Sequence, residues 1–79
     1  MSHAWWALRL QAAETAFENG ECDDLLILLD EMLDGASRDL DPQAAHEARE
    51  HLTRARRYAQ ADDLGLSRAA YVKALHHLP

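Results

Sequence analysis

The chain is poor in most of the residues that would tie it to catalysis, secretion or a membrane. A single cysteine, Cys22, in 79 residues allows no internal disulfide, and the many-cysteine pattern of small secreted scaffolds is excluded. Only three glycines and two prolines are present, and no Gly-rich phosphate loop follows a strand. Cations are scarce as well, with 8 Lys and Arg against 14 Asp and Glu and a net charge of −6. Binding to phosphate backbones or anionic lipid draws its affinity from clustered Lys and Arg, so neither nucleic acid nor membrane is an expected partner. The run LLILL at 25–29 falls far short of the ~20 apolar residues that span a bilayer. The opening MSHAWWALRL has neither the basic start nor a clear cleavage site of an export signal. A reducing, cytoplasmic setting is expected, and a protein with a basic surface is the expected partner.

What is abundant is Ala, Leu, Glu, Asp and Arg, with 48% of the residues hydrophobic, the composition of a helical globule. A domain this small buries only about 60% of the surface its unfolded chain exposes, so its core is marginal and a homodimer is one expected means of support.

Apolar spacing divides the chain into four helices. Trp6, Leu10, Ala13 and Phe17 share one face of a helix over 4–19, and Asn19-Gly20 supplies a left-handed stop. Asp23 and Asp24 favour a second N-terminus. Leu25, Leu28, Leu29 and Met32 form its stripe, broadened by Leu26, Ile27 and Leu33, over 23–34. Gly35-Ala36-Ser37 reads as the opening of a polar connection over 35–41. Asp41-Pro42 is a start signal, because Asp caps free N–H groups and Pro suits the first turn. The third helix, 42–61, has a stripe of small residues, Ala45, Ala48, Leu52, Ala55 and Ala59, that lets a neighbouring backbone approach closely. Asp62-Asp63 ends it and caps the next, in which Ser67, Tyr71, Ala74, Leu75 and Leu78 share a face over 65–78. The expected fold is therefore all-α: one domain over 1–79, four helices in two antiparallel hairpins, 4–34 and 42–78.

Charge divides along the same line. Residues 1–41 hold ten acidic and two basic side chains, whereas 42–79 hold four acidic and six basic. Asp30, Glu31 and Asp34 gather near the expected C-terminus of helix two, where the macrodipole disfavours them by a few tenths of a kcal/mol each. They read either as a solvated face near Arg38 and the arginines of helix three or as an acidic docking patch. Trp5 and Trp6 point about 100° apart on a helix. Trp6 joins the Phe17 stripe, while Trp5 lies at its edge with Leu8 and Ala12 and is a candidate interface anchor.

Two families are resembled. Residues 51–79 resemble a tetratricopeptide repeat, with Tyr58, Tyr71, Ala74 and Pro79 at pattern positions and His51, Arg54, Ala55 and Ser67 replacing its Trp, Leu, Gly and Ala. Residues 9–37 give a second copy through Ala13, Gly20, Leu25, Leu29 and Met32. The copies lie 42 rather than 34 residues apart, the excess falling in the 34–41 connection. That resemblance implies helix-hairpin packing and protein binding. The segment AQADDLGLSRAAYVKAL is similar instead to the helix-turn-helix of addiction-module antidote proteins, with Gly65 in the turn and Tyr71 and Ala74 facing the first helix. It implies that Ser67, Arg68, Ala69 and Lys73 face a major groove. The acidic charge and the few cations of that helix weigh against DNA.

No catalytic signature survives inspection. HEAREH at 46–51 places His46 and His51 five apart, whereas zinc-protease helices need four, so His46/Glu50 and Glu47/His51 read as pairs on a solvated face and no metal site is expected. His76-His77 reads as part of a frayed end. Glu21, Asp23 and Asp24 oppose a thiolate at Cys22. The expectation is a non-catalytic, cofactor-free interaction module, a small acidic adaptor or inhibitor that meets its partner through Trp5, Asp30, Glu31 and Asp34. The alternative is a DNA-binding regulator of antidote type.

Overall fold

A computed structural model describes residues 3–79 as four helices, α1 (His3–Asn19), α2 (Cys22–Asp39), α3 (Pro42–Gln60) and α4 (Leu64–Leu75). The first two residues of the expected 1–79 domain lie outside the described part. Each reversal has a local cause. Gly20, at φ 69°, takes the left-handed conformation after α1. Glu21 N–H then donates back to the Ala16 carbonyl at 2.9 Å and Gly20 N–H to that of Phe17 at 3.4 Å, a Schellman closure. The end of α3 repeats this geometry with Asp62 at φ 60°, Asp63 N–H donating to Tyr58 and Asp62 N–H to Ala59. Asp41 caps α3 by accepting from Ala44 N–H at 3.0 Å, with Pro42 in the first turn. Asp63 caps α4 in the same way through Leu66 N–H at 3.1 Å.

Consecutive helices run antiparallel, as the paired residues show. Trp6 meets Asp39 and Arg9 meets Glu31 between α1 and α2. Arg49 meets Leu33 and Ser37, and Arg56 meets Asp30, between α2 and α3. The helix α3 packs against both α2 and α4, while α1 rests mainly on α2. Its inward face is Ala45, Ala48, Leu52, Ala55 and Ala59, all buried. Against this small-residue face lie Leu25, Leu29 and Met32 from α2 and Tyr71 and Ala74 from α4, and α1 completes the core with Trp6, Ala13, Ala16 and Phe17. The Phe17 and Tyr71 rings meet at 5.2 Å, joining α1 to α4.

The structure departs from the expected elements in several places. The helix α2 does not stop at Asp34 but continues to Asp39, leaving only Leu40 and Asp41 between hairpins. Gly35 and Ala36 are buried on its inner face. Gly35 is needed there because the Trp5 and Trp6 rings lie against its Cα, so the glycine serves close approach rather than chain reversal. Asp30, Glu31 and Asp34 are consequently inside the helix and carry no terminal dipole penalty, and the length in excess of a 34-residue repeat is helical. Ile27 does not broaden the buried stripe; it is 60% exposed. On α4 the inward set is Ser67, Ala70, Tyr71 and Ala74, with Leu75 at 36% exposure outside it. Gly65 lies in the first turn of α4 rather than in the reversal, which Asp62 makes.

Candidate functional site

Of the residues singled out in the sequence, Trp5 is the most occupied. Its ring is half-buried, stands edge-on to Trp6 at 4.9 Å, and is clasped by two guanidinium groups, Arg9 at 4.0 Å and Arg38 at 4.7 Å. Arg9 also donates to the Trp5 carbonyl and lies 3.4 Å from Glu31. Arg38 pairs with Asp39 at 3.0 Å, and Asp39 accepts from Trp6 Nε1 at 2.9 Å. Those bonds, that of Arg38 first, hold the Asp39 carboxyl below its ordinary value against the opposing effect of desolvation. Trp5 is thus a clamp between α1 and the end of α2, its ring in contact with two cations.

The acidic residues divide. Arg56 binds Asp30 through Nε at 2.6 Å and Nη2 at 3.3 Å, a bidentate contact. Glu31 is held by Arg9. Asp34 is exposed and has no ion pair among the described residues. The structure therefore brings Asp30 and Glu31 into bridges within the molecule and leaves Asp34 as the free member of that set.

Beyond the Trp5 clamp, the seam between α1 and α2 opens into a groove of about 580 Å³ walled by Leu8, Ala12, Ala16, Ile27 and Leu28, with Glu21 and Asp24 at its edge. Leu8 is 64% and Ile27 60% exposed, the highest exposures among the large apolar side chains of the described residues. Trp5, Leu8 and Ala12 follow the i, i+3, i+7 spacing of one helix edge. That apolar edge is filled by an indole at one end and open at the other. On α2, the four positions three and four residues from Ile27 are Asp23, Asp24, Asp30 and Glu31. These are its neighbours on a helix surface, so an exposed isoleucine sits in a ring of carboxylates. Its exposure is not legible in the sequence, because the unbroken apolar run 25–29 has no period from which to choose a face. The outer side of α4 exposes Leu66, Val72 and Leu75 as well, without a comparable apolar groove or acidic border.

The residues tied to a DNA-reading helix are split by the fold. Ser67 is buried and its Oγ donates to the Ala55 carbonyl at 2.7 Å, so it has no access to a groove. Arg68 is exposed, paired with Glu14 at 2.9 Å and placed 5.7 Å from the Phe17 ring. Lys73 is exposed.

Two further places carry polar chemistry. Cys22 Sγ donates to Asp62 Oδ1 at 3.1 Å, joining the first reversal to the third. That bond, with lesser contributions from burial and from the Asp62 and Asp23 charges, raises the thiol above its ordinary range and away from reactivity. On α3, Glu47 and His51 stand one turn apart, and His77, past the end of α4, stacks over His51 with ring centres 6.0 Å apart. The ligand atoms of these three lie within 4.8 Å of one another. Burial first, then Arg54, His77 and Lys73, lowers the His51 pKa. His46 pairs with Glu50 at 3.3 Å as an exposed i,i+4 pair.

No protein-family description, no curated protein and no solved structure matches the chain at a significant level. Among the described residues no helix is long and apolar enough to cross a membrane.

Proposed function

We propose that the chain is a non-catalytic protein-interaction module, a small acidic adaptor or inhibitor, whose docking surface is the α1–α2 groove. The observation that carries this reading is the exposed pair Leu8 and Ile27 on the two walls of one groove, with Glu21 and Asp24 at its edge and Asp23 beside Ile27 on α2. Asp30 and Glu31 are already paired within the chain. Single exposed apolar residues are ordinary, whereas apolar side chains gathered on the walls of one groove are a feature of interaction sites. A helix laid into such a groove buries its own apolar face there, and the carboxylate border selects one flanked by Lys or Arg while repelling acidic competitors. Trp5, partly exposed beside the groove, stays a candidate contact for a partner or for a second copy of the chain. A helical-repeat-like way of packing accords with consecutive antiparallel hairpins and remains part of the proposal.

Affinity purification from the host at low and high salt, with protein and nucleic acid both identified, tests the reading when run beside Ile27→Lys and Asp23→Asn/Asp24→Asn. A specific protein partner should be lost with Ile27→Lys and retained with a weaker salt response in the double variant, the far-UV helix signal being unchanged in both. Retention of a specific promoter fragment that depends on Arg68 would replace this reading with the DNA regulator.

A further inference from the structure

We propose that Glu47, His51 and His77 form a surface site for a divalent transition-metal ion of the zinc class, tying the end of the chain to the middle of α3. Two residues of the set come from successive turns of one helix, the i,i+4 spacing that projects both side chains from one face. The third arrives from 26 positions downstream and is held in place by the backbone. His77 N–H donates to the Ala74 carbonyl at 3.0 Å, and the adjacent Leu78 packs against the hydrophobic core, which fixes the approach of the imidazole to α3. The three ligand atoms lie within 4.8 Å of one another. Tetrahedral coordination at bond lengths of ~2.0–2.1 Å puts ligand atoms roughly 3.3 Å apart. Side-chain rotation closes that gap, since all three residues are half-buried rather than locked in the core.

The donor set decides the class of ion. Two imidazole nitrogens and one carboxylate oxygen suit zinc and its transition-metal neighbours, whereas calcium and magnesium call for oxygen ligands throughout. Three protein ligands leave the fourth position to water or to a side chain from another molecule. One feature opposes the ion. Arg54 Nη2 lies 2.7 Å from His51 Nδ1, a cation on a ligand ring, and metal binding requires that exposed guanidinium to swing away. Arg54 therefore acts as a competitor that lowers affinity without being a ligand.

The untagged full chain, freed of metal by chelator and titrated with ZnCl₂ in a calorimeter near neutral pH, tests the assignment. The expected result is saturable binding of one ion per chain. Glu47→Gln, His51→Ala and His77→Ala should each weaken it by about tenfold or more, and Arg54→Gln should strengthen it. His46→Ala, His76→Ala and Cys22→Ser should leave it unchanged. Zinc should also raise the melting temperature of the parent and not that of His77→Ala. No saturable heat up to millimolar zinc overturns the proposal, as does binding that survives His77→Ala or disappears with His46→Ala or Cys22→Ser.

Discussion

Gly35 lies against the edge of the Trp5 indole so closely that a Cβ added there would fall 2.6 Å from Trp5 Cη2 and 3.0 Å from Trp6 Cζ2. Real Cβ atoms essentially never show the shorter of these distances, so the Trp5 ring must shift to admit a methyl group. Trp5 is clasped by Arg9 and Arg38, and Trp6 is buried and bonded to Asp39. Gly35→Ala should therefore destabilise the fold by about 1–3 kcal/mol, although alanine is the better helix former by roughly 1 kcal/mol. Urea unfolding followed by tryptophan fluorescence measures both the loss and the displacement of the rings. A stabilised variant would show that the indoles yield and that helix propensity decides.

The buried hydroxyl of Ser67 should matter more to stability than the neighbouring Arg68. Ser67→Ala removes the 2.7 Å bond to the Ala55 carbonyl within the α3–α4 contact and should cost about 1 kcal/mol. Arg68→Ala breaks an exposed ion pair with Glu14 and should stay within about 0.5 kcal/mol. Leu75, exposed rather than buried, should lose far less on truncation than Leu52, for which about 2–5 kcal/mol is expected. Chemical denaturation of the four variants checks the order.

Burial pushes the Tyr71 phenol up to about 12, with the Glu14 charge adding to the effect and Arg68 opposing it. The folded chain thus holds this proton to higher pH than the unfolded chain, whose phenol titrates near 10. The corresponding stability is fully present below pH 10 and is lost as pH rises through about 12, a change of roughly 2–3 kcal/mol. Tyr71→Phe should remove the late phase from a phenolate absorbance titration and flatten stability over that interval.

Asp62 occupies the left-handed position that closes α3, at φ 60°. An L-residue there carries a steric cost of about 1 kcal/mol that glycine avoids. Asp62→Gly should raise stability by roughly 0.5–1 kcal/mol, net of the weak thiol contact from Cys22 that it gives up. Thermal unfolding of Asp62→Gly beside Cys22→Ser separates the two effects.

The sequence disclosed the elements of this fold unevenly, and the reasons are physical. The buried face of α3 is readable residue by residue, because Ala45, Ala48, Leu52, Ala55 and Ala59 stand in a helix whose remaining positions are mostly polar. The helix α4 has no such contrast. Leu66, Val72 and Leu75 are as apolar as the residues that face inward, so the spacing could not decide between Ala70 and Leu75. Gly35 was misread because its role depends on two tryptophans about thirty positions away. The groove needs walls from two helices, and the Glu47, His51 and His77 set joins residues from either side of a reversal. Neither leaves a contiguous pattern. The one trace of the groove was Leu8 and Ala12 at the edge of the first apolar stripe.

The uneven docking of the helices has a consequence for how the molecule opens. The central helix α3 is gripped from both sides, whereas α1 rests mainly on α2, through its tryptophan clamp and inner stripe. Amide protons of α1 should therefore exchange with solvent well before those of α3, because detaching one outer helix exposes less apolar surface than unfolding the whole. The Leu8 wall of the groove belongs to this first helix to leave. A ligand seated between Leu8 and Ile27 would act as a second clasp on α1, and its arrival would register as slowed exchange along the entire helix, including turns it never touches.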